Sequence, residues 1–237
     1  MTTVPTDIAQ GRAARVVGFC YLFAMALSVF GESYVRGKLI VAGNAADTAR
    51  NIMAHELLFR LGIASELLTF ASDITLITAL YVILKAVNPH VALYATFLRL
   101  VAVANAVVMT LSSMDALRLL SGGGYLHVFE PDRLQALARL SLTAHGAAYN
   151  LTFLFLGLGS TVFAWLWLES RYIPRALAVL GIVGSFLLAA GSFTYVIVPT
   201  FVEKLGLSYM MPLGLFEVTM GFLLLIRGVR APAPAAT

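Results

Sequence analysis

Charge and cysteine are both scarce in this sequence. Only 12% of its 237 residues are charged, about half the fraction found in a typical soluble domain. The single cysteine excludes a disulfide scaffold, and an apolar content of 60% excludes a disordered chain. No glycine period is present, which excludes a collagen-like fibre. With a mean hydropathy of +0.89, the composition predicts an all-α, polytopic membrane protein.

The motifs of several enzyme and binding classes are also missing. The net charge is +4, but no block of five or six like charges exists, so we expect no nucleic-acid partner. The triglycine at residues 122–124 lacks the Gly-Lys-Ser/Thr of a phosphate-binding loop, and no Gly-x-Ser-x-Gly turn occurs. Neither His-x-x-x-His nor Glu-x-x-His is present, so the sequence predicts no metal site. Glu66, Asp115 and His145 are nevertheless residue types that divalent metals use.

Long apolar runs are what the sequence has instead. A helix needs about 20 apolar residues to cross the hydrocarbon core of a bilayer. Helix breakers such as Asn88, Pro89 and Pro174 fall between the runs. The sequence therefore predicts a bundle of about six transmembrane helices in a single domain, residues 1–230, followed by a disordered tail, residues 231–237. The predicted spans are residues 14–34, 58–84, 91–117, 143–168, 176–198 and 211–226.

Two of the predicted connections are long. Residues 35–57 contain a helical pattern at 47–56, and residues 118–142 are predicted to contain a short helix at 131–140. We expect both helices to lie at the membrane interface, on the same outer side. The basic residues of the opposite side lie in shorter connections with few acids, which predicts that both termini are cytoplasmic. These basic residues are Arg12, Arg15, Lys85, Arg171, Arg175, Arg227 and Arg230.

Polar residues inside the predicted spans form a first candidate group. Asp73 and Glu217 fall near the middle of their spans, Arg99 lies on the inner half of the third span, and Asn105 lies close to its middle. One interpretation is a site at the membrane midplane that takes up a proton or cation, or holds a polar head group. The other is a structural ion pair between Asp73 and Arg99, with Glu217 protonated.

A second candidate group lies nearer the predicted outer ends of the helices. Glu66 precedes Asp73 by seven residues, which places both on the same face of one helix. One interpretation is that the group lines an outward-opening cavity, and the other is that it forms caps and ion pairs at wet helix ends. Its members are Glu32, His55, Glu56, Arg60, Glu66, Asp115, His145 and Asn150.

Several short motifs, in this order, are similar to those of a known family. They are residues 32–39 (ESYVRGKL), 58–63 (LFRLGI), 97–101 (FLRLV), 120–122 (LSG) and 142–146 (LTAHG). The chain resembles, over about residues 12–228, the bacterial membrane proteins grouped as domain of unknown function 4386. The resemblance implies a multi-pass bacterial membrane protein and supplies no activity, substrate or cofactor. It draws attention to Glu32, Arg36, Arg60, Arg99 and His145.

Three functions remain open on this evidence. The first is binding or translocation of a small molecule, a lipid or an ion, at a buried carboxylate and arginine cluster. The second is an intramembrane lipid hydrolase in which His145, Glu66 and Asp115 act on the outer side. The third is a membrane scaffold or regulatory subunit. We expect the protein to lie in the bilayer of the bacterial inner membrane and, because six spans are few for a secondary carrier, to form a homo-oligomer. The cofactor is left undetermined.

Overall fold

The computed structural model describes residues 8–198 and 208–229, and every regular element in these two ranges is a helix. The polytopic all-α bundle predicted from composition is therefore confirmed for the described part of the chain. The elements in chain order are α1 (Ile8–Ser28), a π-helical segment (Val29–Arg36), α2 (Gly37–Leu39), α3 (Ala45–Ala54), α4 (Glu56–Leu84), α5 (Pro89–Leu120), a 3-10 turn (Gly124–Leu126), α6 (Pro131–Ser170), α7 (Arg175–Ile197) and α8 (Met211–Arg227).

Five of these helical stretches are long and apolar enough to cross a membrane. Among the described residues they are Ala9–Leu39, Glu56–Leu84, Pro89–Leu120, Pro131–Ser170 and Arg175–Ile197. The sixth predicted span corresponds to α8, which has 17 residues. At 1.5 Å per residue such a helix is about 26 Å long, slightly shorter than the hydrocarbon core of about 30 Å. A sixth crossing therefore stays a prediction, as does the cytoplasmic location of the termini.

The first span is longer than its apolar run predicts. Its helical path continues from α1 through the π-helical segment to Leu39, instead of ending near Tyr34. The backbone N–H of Gly37 donates to the carbonyl oxygen of Glu32, which is the wide turn of a π-helix. The helix therefore continues past the apolar stretch through polar residues such as Arg36. The helix predicted in the first long connection follows it as α3.

The helix predicted at residues 131–140 is not a separate element. It begins at Pro131 as predicted, but it continues without interruption into the fourth span and forms the 40-residue α6. No glycine or proline lies between Leu140 and Thr143, so nothing in the backbone ends the helix there. The hydroxyl of Thr143 donates to the carbonyl oxygen of Arg139 at 3.0 Å, a bond made within a continuing helix.

Contacts between α-carbons divide the chain into two compact units. The Arg99 unit takes its described residues from Met1–Phe23, Ser72–Val103 and Leu151–Thr237, and the His145 unit comprises Ala24–Ala71 and Ala104–Asn150. Both boundaries fall inside long helices, so α4, α5 and α6 each contribute to both units. The predicted single domain over residues 1–230 stays a prediction, and the predicted tail at 231–237 lies outside the described residues.

Each unit has its own apolar core. In the Arg99 unit, Trp167 is fully buried and α7 packs closely on α8, where a Cβ on Gly184 would lie 2.6 Å from the backbone nitrogen of Leu213. The His145 unit has a separate core, to which the π-helical segment and helices α2 to α6 each contribute side chains. Phe59 of α4 is buried in this core. Its members are Val35, Leu39, Ile52, Phe59, Ala116, Leu117, Ala138 and Leu142.

Candidate functional site

Three ionisable side chains converge inside the His145 unit. Glu32 comes from the π-helical segment, Glu66 from α4 and His145 from α6. Nε2 of His145 lies 3.1 Å from Oε1 of Glu66 and 4.0 Å from Oε1 of Glu32. One ligand atom from each residue lies within 4.8 Å of the other two, and His145 is 1% exposed. We call these three residues the His145 cluster.

The second oxygen of Glu66 is held by a neighbouring helix. The hydroxyl of Thr110 on α5 donates to Oε2 of Glu66 at 2.8 Å. The carboxylate therefore has one oxygen fixed by a protein donor and the other directed at His145. Such an outer hydrogen bond limits the rotation of the carboxylate and fixes the direction of its free lone pairs.

Glu32 is arranged in the same way. Its Oε2 lies 3.4 Å from Nε of Arg36, one helical turn later, and Nη1 of Arg36 donates to the hydroxyl of Ser113 at 3.4 Å. Its Oε1 is buried, faces His145 and has no hydrogen-bond partner. When both carboxylates are ionised and His145 is neutral, the cluster with Arg36 carries one net negative charge.

Two glycines allow the π-helical segment to approach α4 closely. A Cβ on Gly31 would lie 2.8 Å from the hydroxyl oxygen of Ser65, and a Cβ on Gly62 would lie 2.9 Å from Cγ1 of Val35. Any larger residue at either position would push the two helices apart. The glycines therefore bring Glu32 within reach of Glu66 and His145.

A small cavity adjoins the cluster. Its volume is about 40 Å³, and a cavity needs roughly 10–15 Å³ to hold one water molecule. Carboxylates of the cluster face it beside apolar and aromatic side chains. The lining residues are Leu27, Ser28, Gly31, Glu32, Glu66, Thr69, Phe70, Met109 and Tyr149. The cavity has room for an ion or a few atoms, and the ring of Tyr149 stacks on His145 with centroids 6.3 Å apart.

Three other members of the predicted outer group bind within their own helices instead. Asp115 accepts from Arg118 at 3.2 Å, with both side chains more than half exposed. Nε of Arg60 donates to Glu56 at 2.7 Å on the surface. The side-chain amide of Asn150 donates to the carbonyl oxygen of Gly146 at 3.0 Å. Local partners three or four residues away therefore account for Asp115, Arg60 and Asn150.

The first predicted group is centred on Arg99, which is 2% exposed. Nη2 of Arg99 lies 3.5 Å from Oδ1 of Asp73, and Nη1 donates to the hydroxyl of Ser160 at 2.7 Å. A Cβ on Gly159 would lie 2.8 Å from Cγ of Arg99, so the arginine stem crosses α6 at a glycine. Glu217 is half-buried and within electrostatic range of both charged groups. Asp73, Arg99 and Ser160 are called the Arg99 cluster below.

Asn105, the fourth residue of the first predicted group, lies on α5 within the His145 unit. Its amide donates to the carbonyl oxygen of Ala148 at 2.7 Å. The bond joins α5 to α6 three residues beyond His145. Asn105 therefore helps to hold the helix that carries the histidine.

The residues that hold the charged side chains of the two clusters could be predicted from the sequence only in part. Arg36 carried a signal, because it follows Glu32 by four residues and such pairs meet on one helix face. Thr110, Ser113 and Ser160 carried none, since hydroxyl residues are common in membrane helices and bond to their own backbone. The structure identifies these three hydroxyls because it shows which face of each helix points towards the charged groups.

The distribution of polar and apolar side chains defines the class of protein. Arg99 and His145 are almost fully buried, whereas Phe97 and Phe186 are 59% and 61% exposed on long apolar helices. Ionisable groups inside and large apolar groups outside are the arrangement that lipid requires. The chain is an integral, multi-pass helical membrane protein.

A comparison of sequences supplies the family. The family model described as domain of unknown function (DUF4386) matches residues 16–228, and the chain belongs to this family. The resemblance stated from the short motifs is thereby confirmed. Comparison with the curated proteins and with the solved structures gives no significant match to this chain.

Proposed function

We propose that this membrane protein binds a small cationic ligand at the His145 cluster. The observation that carries the proposal is a converging set of acceptors, two carboxylates and the buried imidazole of His145, beside a cavity of about 40 Å³. A cavity of this size fits an ion or a small polar group and is too small for a lipid tail. Of the lipid and the ion considered from the sequence, the ion is the ligand that the geometry supports.

The balance of charge supports a ligand over a purely structural cluster. Glu32 pairs with the guanidinium of Arg36, whereas Glu66 accepts from the neutral hydroxyl of Thr110, so the two carboxylates have one cationic partner between them. A buried carboxylate oxygen without a donor destabilises the folded protein by roughly 1–3 kcal/mol or more. A bound cation would supply the missing positive charge, and a bound ion is one recognised explanation of a buried polar atom without a partner.

Native mass spectrometry of the protein released gently from membranes tests the proposal. We expect wild type to carry a small stoichiometric adduct, and Glu66→Gln and His145→Ala to lose it. Asp115→Asn is the matched control, because Asp115 is an exposed acid of the same unit that pairs with Arg118. The proposal fails if wild type carries no adduct, or if both cluster variants keep it.

An intramembrane lipid hydrolase is a second candidate, favoured by one contact. The hydrogen bond of 3.1 Å between His145 and Glu66 is the kind that orients an imidazole as a general base. The cavity beside it has room for the attacking water. Under this alternative, His145→Ala abolishes release of fatty acid from ester lipids added to the membranes, and Asp115→Asn does not. Asp115, proposed from the sequence as a third group of this hydrolase, pairs with Arg118 on the surface.

The location of the protein belongs to the same proposal. We infer residence in the bacterial inner membrane with both termini cytoplasmic, supported by the positions of the basic residues between the spans. Assembly as a homo-oligomer is a further part of the proposal, supported by the small number of spans.

A further inference from the structure

We propose that Glu32, Glu66 and His145 bind one divalent transition-metal ion of the Zn²⁺ type, through Oε1 of each glutamate and Nε2 of the histidine. This inference rests on the ligand site proposed above and names the ligand. Four observations support it: the spacing of the ligand atoms, an oxygen without a donor, the ligand types and the adjoining cavity.

The spacing of the ligand atoms fits a metal centre. With metal–ligand bonds of about 2.0–2.2 Å in a tetrahedral arrangement, neighbouring ligand atoms lie about 3.4 Å apart. The two separations from Nε2 of His145 are 3.1 Å to Glu66 and 4.0 Å to Glu32. All three ligand atoms lie within 4.8 Å of one another, so rotation of the glutamate side chains would bring them onto one ion.

The oxygen without a donor lies at the position where the ion would bind. Oε1 of Glu32 is buried, has no hydrogen-bond partner and faces His145. The other carboxylate oxygens of the cluster are held by Thr110 and Arg36. Such outer partners, which orient metal ligands, are a regular feature of metal sites.

The ligand types select the class of metal. Ca²⁺ and Mg²⁺ prefer oxygen ligands alone, whereas a set that includes an imidazole nitrogen suits Zn²⁺ and its neighbours in the first transition row. Two carboxylates and one imidazole give three protein ligands. Three is the number found in zinc sites that keep a position open for water or substrate.

The cavity supplies that open position. It is lined by Glu32 and Glu66 and, at about 40 Å³, holds a water molecule with space to spare. A water on the ion would therefore lie in the cavity and complete four-fold coordination. The site would keep one exchangeable ligand, which a structural zinc site does not have.

Titration of the full-length protein with Co²⁺ is the experiment. The purified protein in detergent is treated with EDTA, passed through a desalting column and titrated with Co²⁺ alone, and the visible absorption is recorded. Zn²⁺ is then added as a competitor, and metal content is measured by mass spectrometry of the elements. Glu32→Gln, Glu66→Gln and His145→Ala are compared with Asp115→Asn and His127→Ala, an acid and a histidine that are exposed.

The expected result is one ion per chain in wild type, with the intense absorption of tetrahedral Co²⁺ that Zn²⁺ abolishes. We expect each cluster variant to lower the affinity more than about tenfold, and both control variants to keep it. Thr110→Val, which removes only the hydroxyl that holds Glu66, is expected to lower it by about 10–100-fold. Because this variant leaves all three ligands in place, it serves if a cluster variant fails to fold.

Two results would overturn the metal site. One is wild type that binds neither Co²⁺ nor Zn²⁺, and the other is cluster variants that bind them as wild type does. The proposed function is tested separately by native mass spectrometry, and it fails if wild type carries no adduct there. A metal-free adduct that Glu66→Gln removes would refute the metal and leave the ligand site standing.

Discussion

The Arg99 cluster and the His145 cluster are both buried and polar, but their unsatisfied atoms are of opposite kinds. In the Arg99 cluster the atom without a hydrogen-bond partner is a donor, Nε of Arg99. In the His145 cluster it is an acceptor, Oε1 of Glu32. A cation can satisfy the second cluster and would be repelled by the guanidinium of the first.

The packing around the two clusters also differs: it is tight at Arg99 and leaves a cavity at His145. Arg99 crosses α6 at Gly159, where no space remains for even a methyl group. The His145 cluster adjoins a cavity of about 40 Å³. A charged pair enclosed by close packing stabilises one arrangement of helices, whereas acceptors beside a cavity are available to a ligand. The comparison therefore favours a structural role for Arg99 and a binding role for His145.

The largest effect on stability is expected at Arg99. Arg99→Met keeps the apolar stem but leaves Asp73 as an unpaired buried carboxylate, which should lower the free energy of unfolding by about 3–5 kcal/mol. Unfolding of the purified protein in mixed detergent and SDS measures it. Arg118→Met is the control, since this exposed arginine pairs with Asp115 on the surface and should cost less than about 1 kcal/mol. Equal losses in the two variants would contradict a structural role for the buried pair.

A smaller loss is expected where α6 packs on α7. A Cβ on Gly157 would lie 2.6 Å from the carbonyl oxygen of Ser185, so Gly157→Ala should destabilise the protein by about 1–3 kcal/mol. Gly146 lies on the same helix, in the His145 unit, and a Cβ there meets nothing within 4 Å. Gly146→Ala should therefore raise stability by about 0.5–1 kcal/mol. Both changes are measured by unfolding in mixed detergent and SDS, as for Arg99→Met. A loss of stability in Gly146→Ala would contradict the open space found beside this residue.

The helices could be predicted from the sequence because apolar runs and breakers mark them directly. The predicted span at 58–84 differs from α4, Glu56–Leu84, by two residues at its start. The start of α5 is explained by Asn88, whose side-chain oxygen accepts from the backbone N–H groups of His90 and Val91. The short helix predicted at 131–140 and the span predicted at 143–168 are one helix, α6, and no glycine or proline separates them.

The cluster could be predicted only in part. Glu32, Glu66 and His145 were among the candidates, but so were Asp115 and Arg60, which bind to neighbours on their own helices. In a membrane helix both the lipid-facing and the core-facing sides are apolar, so the sequence pattern does not reveal which side a polar residue occupies. Spacing of three or four residues to an opposite charge indicates the pairs of Asp115 with Arg118 and of Arg60 with Glu56, but it applies equally to Glu32 and Arg36. Spacing alone therefore does not separate the cluster from the other candidates.

Without metal, only a small effect on stability is expected at Glu32, and the sign of the difference from wild type depends on the metal. Glu32→Gln keeps a carbonyl oxygen for Arg36 and places an amide donor among the acceptors, so in EDTA it should raise the free energy of unfolding by up to about 1 kcal/mol. With Zn²⁺ at about 100 times its dissociation constant, wild type should gain about 2.7 kcal/mol and exceed the variant. Unfolding curves recorded with EDTA and with Zn²⁺ test this reversal. A loss in EDTA as large as that of Arg99→Met would mean that Glu32 is structural, and the two clusters would then differ in composition but not in role.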